Sequence, residues 1–165
     1  MTSAVTALLR DRSSRLDVLA AGCIAAVVSG VPSTAHAILT RQSPLDASLA
    51  AGTLLLGDEE QRASRLLPAA ATAHIALSLG WALVLAVLLP RRRPATWAAG
   101  AGLAIAALDL GVVGRRFPRI RALALAPQIA DHVVYAVTVA VVLRRRREER
   151  SAFSSPEDRR PRPLR

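Results

Sequence analysis

The sequence predicts an all-α fold: a four-helix transmembrane bundle with one longer outer loop that carries a short interfacial helix. Three observations predict it. Apolar residues make up 52% of the chain. Four stretches of roughly 19–24 residues carry almost no charge, the length that crosses a hydrocarbon core of about 30 Å. Charge is sorted instead into the N-terminal head, the loops and the tail, whereas a soluble fold needs a wet face on every helix.

The first span covers residues 16–39, behind a basic cytoplasmic head (1–15) carrying Arg10, Arg12 and Arg15. The second covers 69–89, between Pro68 and Pro90, and the third 95–113, after Pro94. The fourth covers 122–143 and stops at Arg144-Arg145-Arg146-Arg147. Residues 16–143 therefore form one transmembrane domain. Residues 144–165 read as a basic, disordered cytoplasmic tail, rich at its end in Pro, Ser, Arg and Glu.

The first span also has features of a cleavable signal, with a basic head and the small-residue pattern Ala35-His36-Ala37. Cleavage would leave a three-helix protein, so the span is taken as retained. In the first loop, Ser43-Pro44 supplies an N-cap with proline at the first helical position. The apolar run from Leu45 to Leu56 ends at Gly57-Asp58. It is too short to span, which predicts a helix lying at the outer interface.

Arginine placement orients the spans. All 22 basic residues are Arg, a bias expected of a GC-rich bacterial genome. With the N-terminus inside, eleven arginines flank the cytoplasmic ends and seven lie in outer loops. That balance predicts a multi-pass protein of the cell (inner or plasma) membrane with both termini cytoplasmic. The third loop dissents, because Arg115, Arg116, Arg119 and Arg121 make it unusually basic for an outer loop.

The net charge of +10 does not point to nucleic acid. Its clusters flank apolar spans, the pattern of topology signals and anionic lipid headgroups, and aromatics for base stacking are only 3% of residues. The expected partners are the bilayer and its anionic headgroups, and a homo-oligomer remains open. The single Cys23 excludes an internal disulfide.

Function, if legible, lies in polar groups at membrane depth. An aspartate at a helix centre costs about 2.5–3.5 kcal/mol on insertion scales, so such groups face one another, water or a ligand. Five ionisable residues fall inside the spans: His36, His74, Asp109, Asp131 and His132. On the fourth span Gln128, Asp131, His132 and Tyr135 recur at i, i+3, i+4, i+7 and share a face. Ser29, Ser33, His36 and Thr40 do so on the first, and His74, Ser78 and Trp81 on the second. His36, His74 and Asp109 lie roughly 5–8 Å inside the outer ends of their helices, and Asp131-His132 about 14–15 Å in. The inner half shows no comparable group, which suggests a pocket opening outward.

Two prolines add to this reading. Pro32 removes a backbone donor within the first span and Pro127 within the fourth, and each crowds the carbonyl four residues earlier. Broken helices at membrane depth present backbone groups to ions and solutes. The third span, small from Ala98 to Ala107 except at Leu103 and Ile105, reads as the packing helix. It brings Asp109 to a histidine on a neighbour.

Binding or translocation of a small solute, ion or proton is the preferred reading. The alternative is an interaction protein whose His/Asp network only fixes helix packing. No cofactor is predicted, although His36, His74 and His132 suit a metal or haem by ligand type. No spacing such as HExxH accompanies them. No nucleophile elbow or phosphate-binding glycine loop appears either, so an enzyme is not indicated.

The segments Pro127-Gln128-Ile129-Ala130-Asp131-His132-Val133-Val134-Tyr135 and Gly30-Val31-Pro32-Ser33-Thr34 resemble small four-helix integral membrane proteins of high-GC bacteria. In these a polar–His–aromatic pattern marks the last helix. The resemblance implies the four-helix fold and carries no activity with it.

Overall fold

A computed structural model describes residues 11–90 and 92–153. Among these residues all regular structure is helical. The α-helices are α1 (Arg12–Ser29), α2 (Val31–Leu39), α3 (Asp46–Leu56), α4 (Ala63–Leu88), α5 (Pro94–Leu108), α6 (Pro118–Arg121) and α7 (Leu125–Phe153). Four segments are long and apolar enough to cross a membrane: Ser14–Leu39, Ala63–Leu88, Pro94–Arg116 and Leu125–Phe153.

Local chemistry sets the boundaries. Asp11 caps α1, its Oδ2 accepting from the Ser14 N–H at 3.3 Å and the Ser14 hydroxyl at 2.6 Å. The first span is not one rod, since α1 stops at Ser29 and α2 begins at Val31 with Pro32 in its first turn. The short helix of the first loop is present but starts at Asp46, later than Ser43-Pro44 suggested. The Ser43 hydroxyl accepts the Leu45 N–H at 3.2 Å in the turn before it. The helix stops at Gly57, whose φ of +78° a side chain would strain.

Two boundaries differ from those read in the sequence. Helix α4 starts at Ala63 and runs through Pro68, because a proline near a helix start forfeits only one hydrogen bond. Glu60 supports the early start by accepting the N–H groups of Gln61 (3.1 Å) and Arg62 (2.9 Å). Helix α7 begins at Leu125, so Pro127 lies in its first turn, where the N–H has no helical partner. Pro127 therefore causes no break. The same helix continues to Phe153, so residues 144–153 are helical and not the start of a disordered tail. Residues 154–165 lie outside the described set.

Helix α7 is the hub. It packs against α5 and α1, and also touches α2 and α4, while α4 packs against α1 and α3. The third span was read as the packing helix; α5 contributes one small face to this hub. That face, Ala98, Gly102, Ile105 and Ala106, is buried. A Cβ on Gly102 would lie 2.7 Å from the His132 carbonyl oxygen and 2.7 Å from the Val133 Cα. Helix α3 likewise sits directly on α4, where a Cβ on Gly52 would lie 2.9 Å from the Leu66 Cα.

Contacts fix the directions. Pairing of Asp17 with Arg150 and of Ser33 with Asp131 makes the first span antiparallel to α7. Gly102 against His132 and Pro94 near Leu143 make α5 antiparallel as well. Ser78 against Tyr135 and Leu89 near Leu143 make α4 parallel to α7. The spans thus alternate, and Asp17 and Arg150 share one end. Only 22–28% of each apolar window is buried inside the molecule, which leaves residues such as Val27 and Leu39 on the outer surface at 80% and 83% exposure.

At the opposite end the loops are tied together by charge. Glu60 pairs with Arg62 at 3.0 Å and Arg65 at 3.3 Å, and Arg119 donates to the Gln61 side-chain oxygen. One arginine of the dissenting third loop therefore has a partner within the protein.

Two predictions follow from these contacts. Gly102→Ala, which drives a methyl into the α7 backbone, should destabilise the protein by about 1–3 kcal/mol. Gly100→Ala meets nothing within 4 Å and should be neutral in the same detergent unfolding assay. The second concerns Glu60. Hydrogen bonds from the Arg62 side chain and then its backbone lower the Glu60 carboxyl from 4.5 to about 2. A depressed folded-state value means the contribution is complete above pH 4.5 and is lost as pH falls towards 2. Carbon-13 titration of the Glu60 carboxyl should read that low midpoint, and Arg62→Ala should return it towards the ordinary carboxylate range.

Candidate functional site

The site begins with a backbone defect. Pro32 has no N–H for the Val28 carbonyl, so the helix cannot continue unbroken past Ser29. A helix start leaves its first N–H groups without intrahelical partners, and Gly30, the residue before α2, brings no side chain to cap them. The partner comes from another helix. Asp131 on α7 accepts the Ser33 N–H through Oδ1 at 2.9 Å, across 98 residues of sequence. A carboxylate thereby sits at the positive end of the α2 dipole, where anions are favoured.

The other side of the break is met as well. The Ala26 carbonyl, in the last turn of α1, receives His74 Nε2 from α4 at 2.9 Å and the Ser29 hydroxyl at 3.3 Å. Aspartate takes the amide end and histidine the carbonyl end, each from a different helix.

One residue along α7, His132 makes a second group. Its Nδ1 lies 2.7 Å from the Gln128 carbonyl oxygen, and its Nε2 lies 3.4 Å from Asp109 Oδ2. A carbonyl can only accept, so Nδ1 must carry a hydrogen. The Nε2 nitrogen then faces a carboxylate, and attraction requires one proton between them. Either the imidazole is charged and pairs with the carboxylate, or a neutral carboxylic acid donates to the bare nitrogen. Both arrangements hold one proton on the pair.

Backbone geometry brings these partners together. Asp109 continues the buried face of α5 three residues after Ala106, and at that point the helix widens into a π-turn over Asp109–Val113. Such turns are rare and often occur at functional sites. Side chains lean towards their own helix N-terminus, so on antiparallel helices Asp109 and His132 lean towards each other.

Of the residues singled out in the sequence, Asp109, Asp131, His132, His74 and Tyr135 all make interhelical contacts. Tyr135 donates its hydroxyl to the Ser78 carbonyl, tying α7 to α4. Gln128 takes part through its main chain. The His36 ring, half-buried on α2, has no hydrogen bond or ion pair among the described residues, so it does not join the cluster. The two groups share α7, where Asp131 and His132 are adjacent, and His74 meets the other side of the same break. Among the described residues, no three His, Cys, Asp or Glu side chains are grouped to hold a metal ion.

The half of the bundle expected to be inner, which the sequence reading left without a comparable group, does carry one. Asp17 on α1 is 7% exposed and ion-paired with Arg150 near the end of α7. An aspartate within an apolar span was the available signal. Its partner was hidden because Arg150 fell in a segment read as disordered. The π-turn had no signal in composition or periodicity.

These features define a chain with four helices able to span a membrane and an interhelical polar cluster built around a broken first span. No protein family, curated protein or solved structure matches the chain.

The contacts at the break discriminate between substitutions. Asp131→Ala leaves the Ser33 N–H without a partner and should cost about 1–3 kcal/mol in detergent unfolding. Asp131→Asn keeps an oxygen acceptor for that N–H and should lose clearly less stability.

Proposed function

We propose that this chain is a multi-pass membrane protein, a four-helix bundle with both termini cytoplasmic, whose polar cluster lies in the outer half and binds a proton. Movement of that proton, or of a small polar solute or ion accompanied by it, is the activity the site supports best. One observation carries the reading: His132 sets Nδ1 against the Gln128 carbonyl at 2.7 Å and Nε2 3.4 Å from the Asp109 carboxylate, an arrangement that favours a proton between them. The neighbouring Asp131 holds the break in the first span, which puts a second titratable group beside a deformable piece of backbone.

The polar groups around this cluster come from four helices. Asp109 approaches from α5, the Ser33 N–H from α2, His74 from α4, and Gln128 and Asp131 belong to α7. Loss of that proton would set a carboxylate against a lone pair and weaken this contact between α5 and α7. Proton exchange is thereby linked to helix contact. The membrane setting is supported by the four apolar spans with their outward-facing Val and Leu side chains. Large exposed apolar surface is a liability in water and the normal state of a lipid-facing helix.

A structural role is the second reading, favoured by the use of His74, Asp131 and Tyr135 on backbone groups of neighbouring helices. Interhelical hydrogen bonds in membranes are worth on the order of 1 kcal/mol each.

Proteoliposomes loaded with a pH-sensitive dye separate the two. The wild type should relax an imposed pH gradient faster than protein-free vesicles, whereas Asp109→Asn, His132→Ala and Asp131→Asn should each fall to the protein-free rate. A wild type that relaxes no faster than empty vesicles, with a melting point unmoved by a pH step, would leave only the structural role.

A further inference from the structure

Helix α7 does not end where its apolar run ends. Beyond Leu143 it extends for more than two further turns to Phe153. Where it emerges, the turn between α4 and α5 passes beside it and leaves a groove of about 390 Å³. Leu89, Pro90 and Leu143 give the groove an apolar floor, and Arg144, Arg147 and Ser151 line its other part.

The order of these groups along α7 matters. Leu143, Arg147 and Ser151 follow at intervals of four residues and lie on one face, so the lining changes from apolar to cationic to hydroxylic along one line. At 1.5 Å per residue the change spans about 12 Å. The interfacial layer on one side of a bilayer is roughly 5–8 Å thick. The gradient is longer than that layer, so it runs from the edge of the hydrocarbon through the headgroups, in the order of a phospholipid's acyl chain, phosphate and polar headgroup. A free anion would need the arginines and have no use for the floor.

Glu148 is the opposing group. It also lines the groove and lies 3.5 Å from Arg144 in an i, i+4 pair. Both side chains are more than half exposed, at 57% and 63%, and such exposed pairs contribute little. A phosphate can displace Glu148 from Arg144 at small cost.

We propose that this groove is a binding site for one anionic glycerophospholipid of the inner leaflet. Its phosphate lies against Arg144 and Arg147, and an acyl chain lies along Leu89, Pro90 and Leu143. The proposal rests on the membrane reading above and is independent of the proton site.

Native mass spectrometry of the full chain in detergent tests it with added phosphatidylglycerol or phosphatidylcholine. The wild type should retain one phosphatidylglycerol with at least about tenfold preference over phosphatidylcholine, given the attraction of each Arg for anionic lipid. Arg144→Gln with Arg147→Gln should remove that preference. Arg115→Gln with Arg116→Gln, the same charge change at the opposite end, should keep it. Millimolar inorganic phosphate should not displace the lipid. Equal retention of the two lipids, equal loss in both double variants, or displacement by inorganic phosphate would each overturn the proposal. The lipid comparison on the wild type decides the matter even if a variant fails to fold. A chain recovered from cells without detergent would instead defeat the membrane reading.

Discussion

Pro32 imposes the constraint around which the rest of the molecule is arranged. A backbone group left unpaired in hydrocarbon costs several kcal/mol, and a proline at this position removes one donor and ends the regular ladder. The chain cannot repair the amide side locally, because Gly30 brings no side chain to cap α2. Repair therefore comes from α7 and α4. Burying an aspartate costs about 2.5–3.5 kcal/mol. Asp131 offsets part of that with a charge-assisted bond to the Ser33 N–H at the positive end of a helix. The break and the carboxylate each make the other tolerable.

That pairing limits where the remaining helices can lie. With Asp131 turned to the first span, the next residue, His132, is rotated by about 100° around α7 and faces α5. Close approach there requires a residue without a Cβ, and Gly102 meets the backbone at His132 and Val133. The same approach sets Asp109, seven residues on, opposite the imidazole. One helix thereby presents adjacent ionisable residues to two neighbours, and half of the buried core is alanine, six of its twelve residues. So thin a core suits helices held by close backbone approach and polar contacts more than by large apolar side chains, as expected of helices in lipid.

Much of this was legible. Four apolar segments, the small face of the third, the polar stripe on the fourth and the meeting of Asp109 with a histidine all follow from composition and helical period. Asp131 was singled out from its cost in the bilayer, but its partner was not, because a backbone N–H leaves no mark in sequence. Pro32 and Pro127 look alike as letters. Only the start of α7 at Leu125 makes one a first-turn residue and the other a break. His36 shares a stripe with Ser33 yet stays apart from the cluster, since a shared face gives direction and not distance. The segment 144–153 was misread because its density of arginine outweighed helical signals that its own i, i+4 pair, Arg144 with Glu148, supports.

The two ends of the molecule engage their arginines in different ways. Seven arginines in outer loops weaken an orientation drawn from eleven at the other side. Not all of these charges are equivalent. Arg62 and Arg65 are engaged by Glu60, and Arg119 by Gln61, so part of the loop charge is spent on joining loop to loop. At the opposite end one arginine, Arg150, reaches back to a buried aspartate, while Arg144 pairs with the exposed Glu148 at i, i+4. Arginines held by acids within the protein are weaker topology signals than those left to interact with headgroups. Among the described residues the two ends therefore use arginine differently, one to join loop to loop and the other to hold a buried aspartate of the first span.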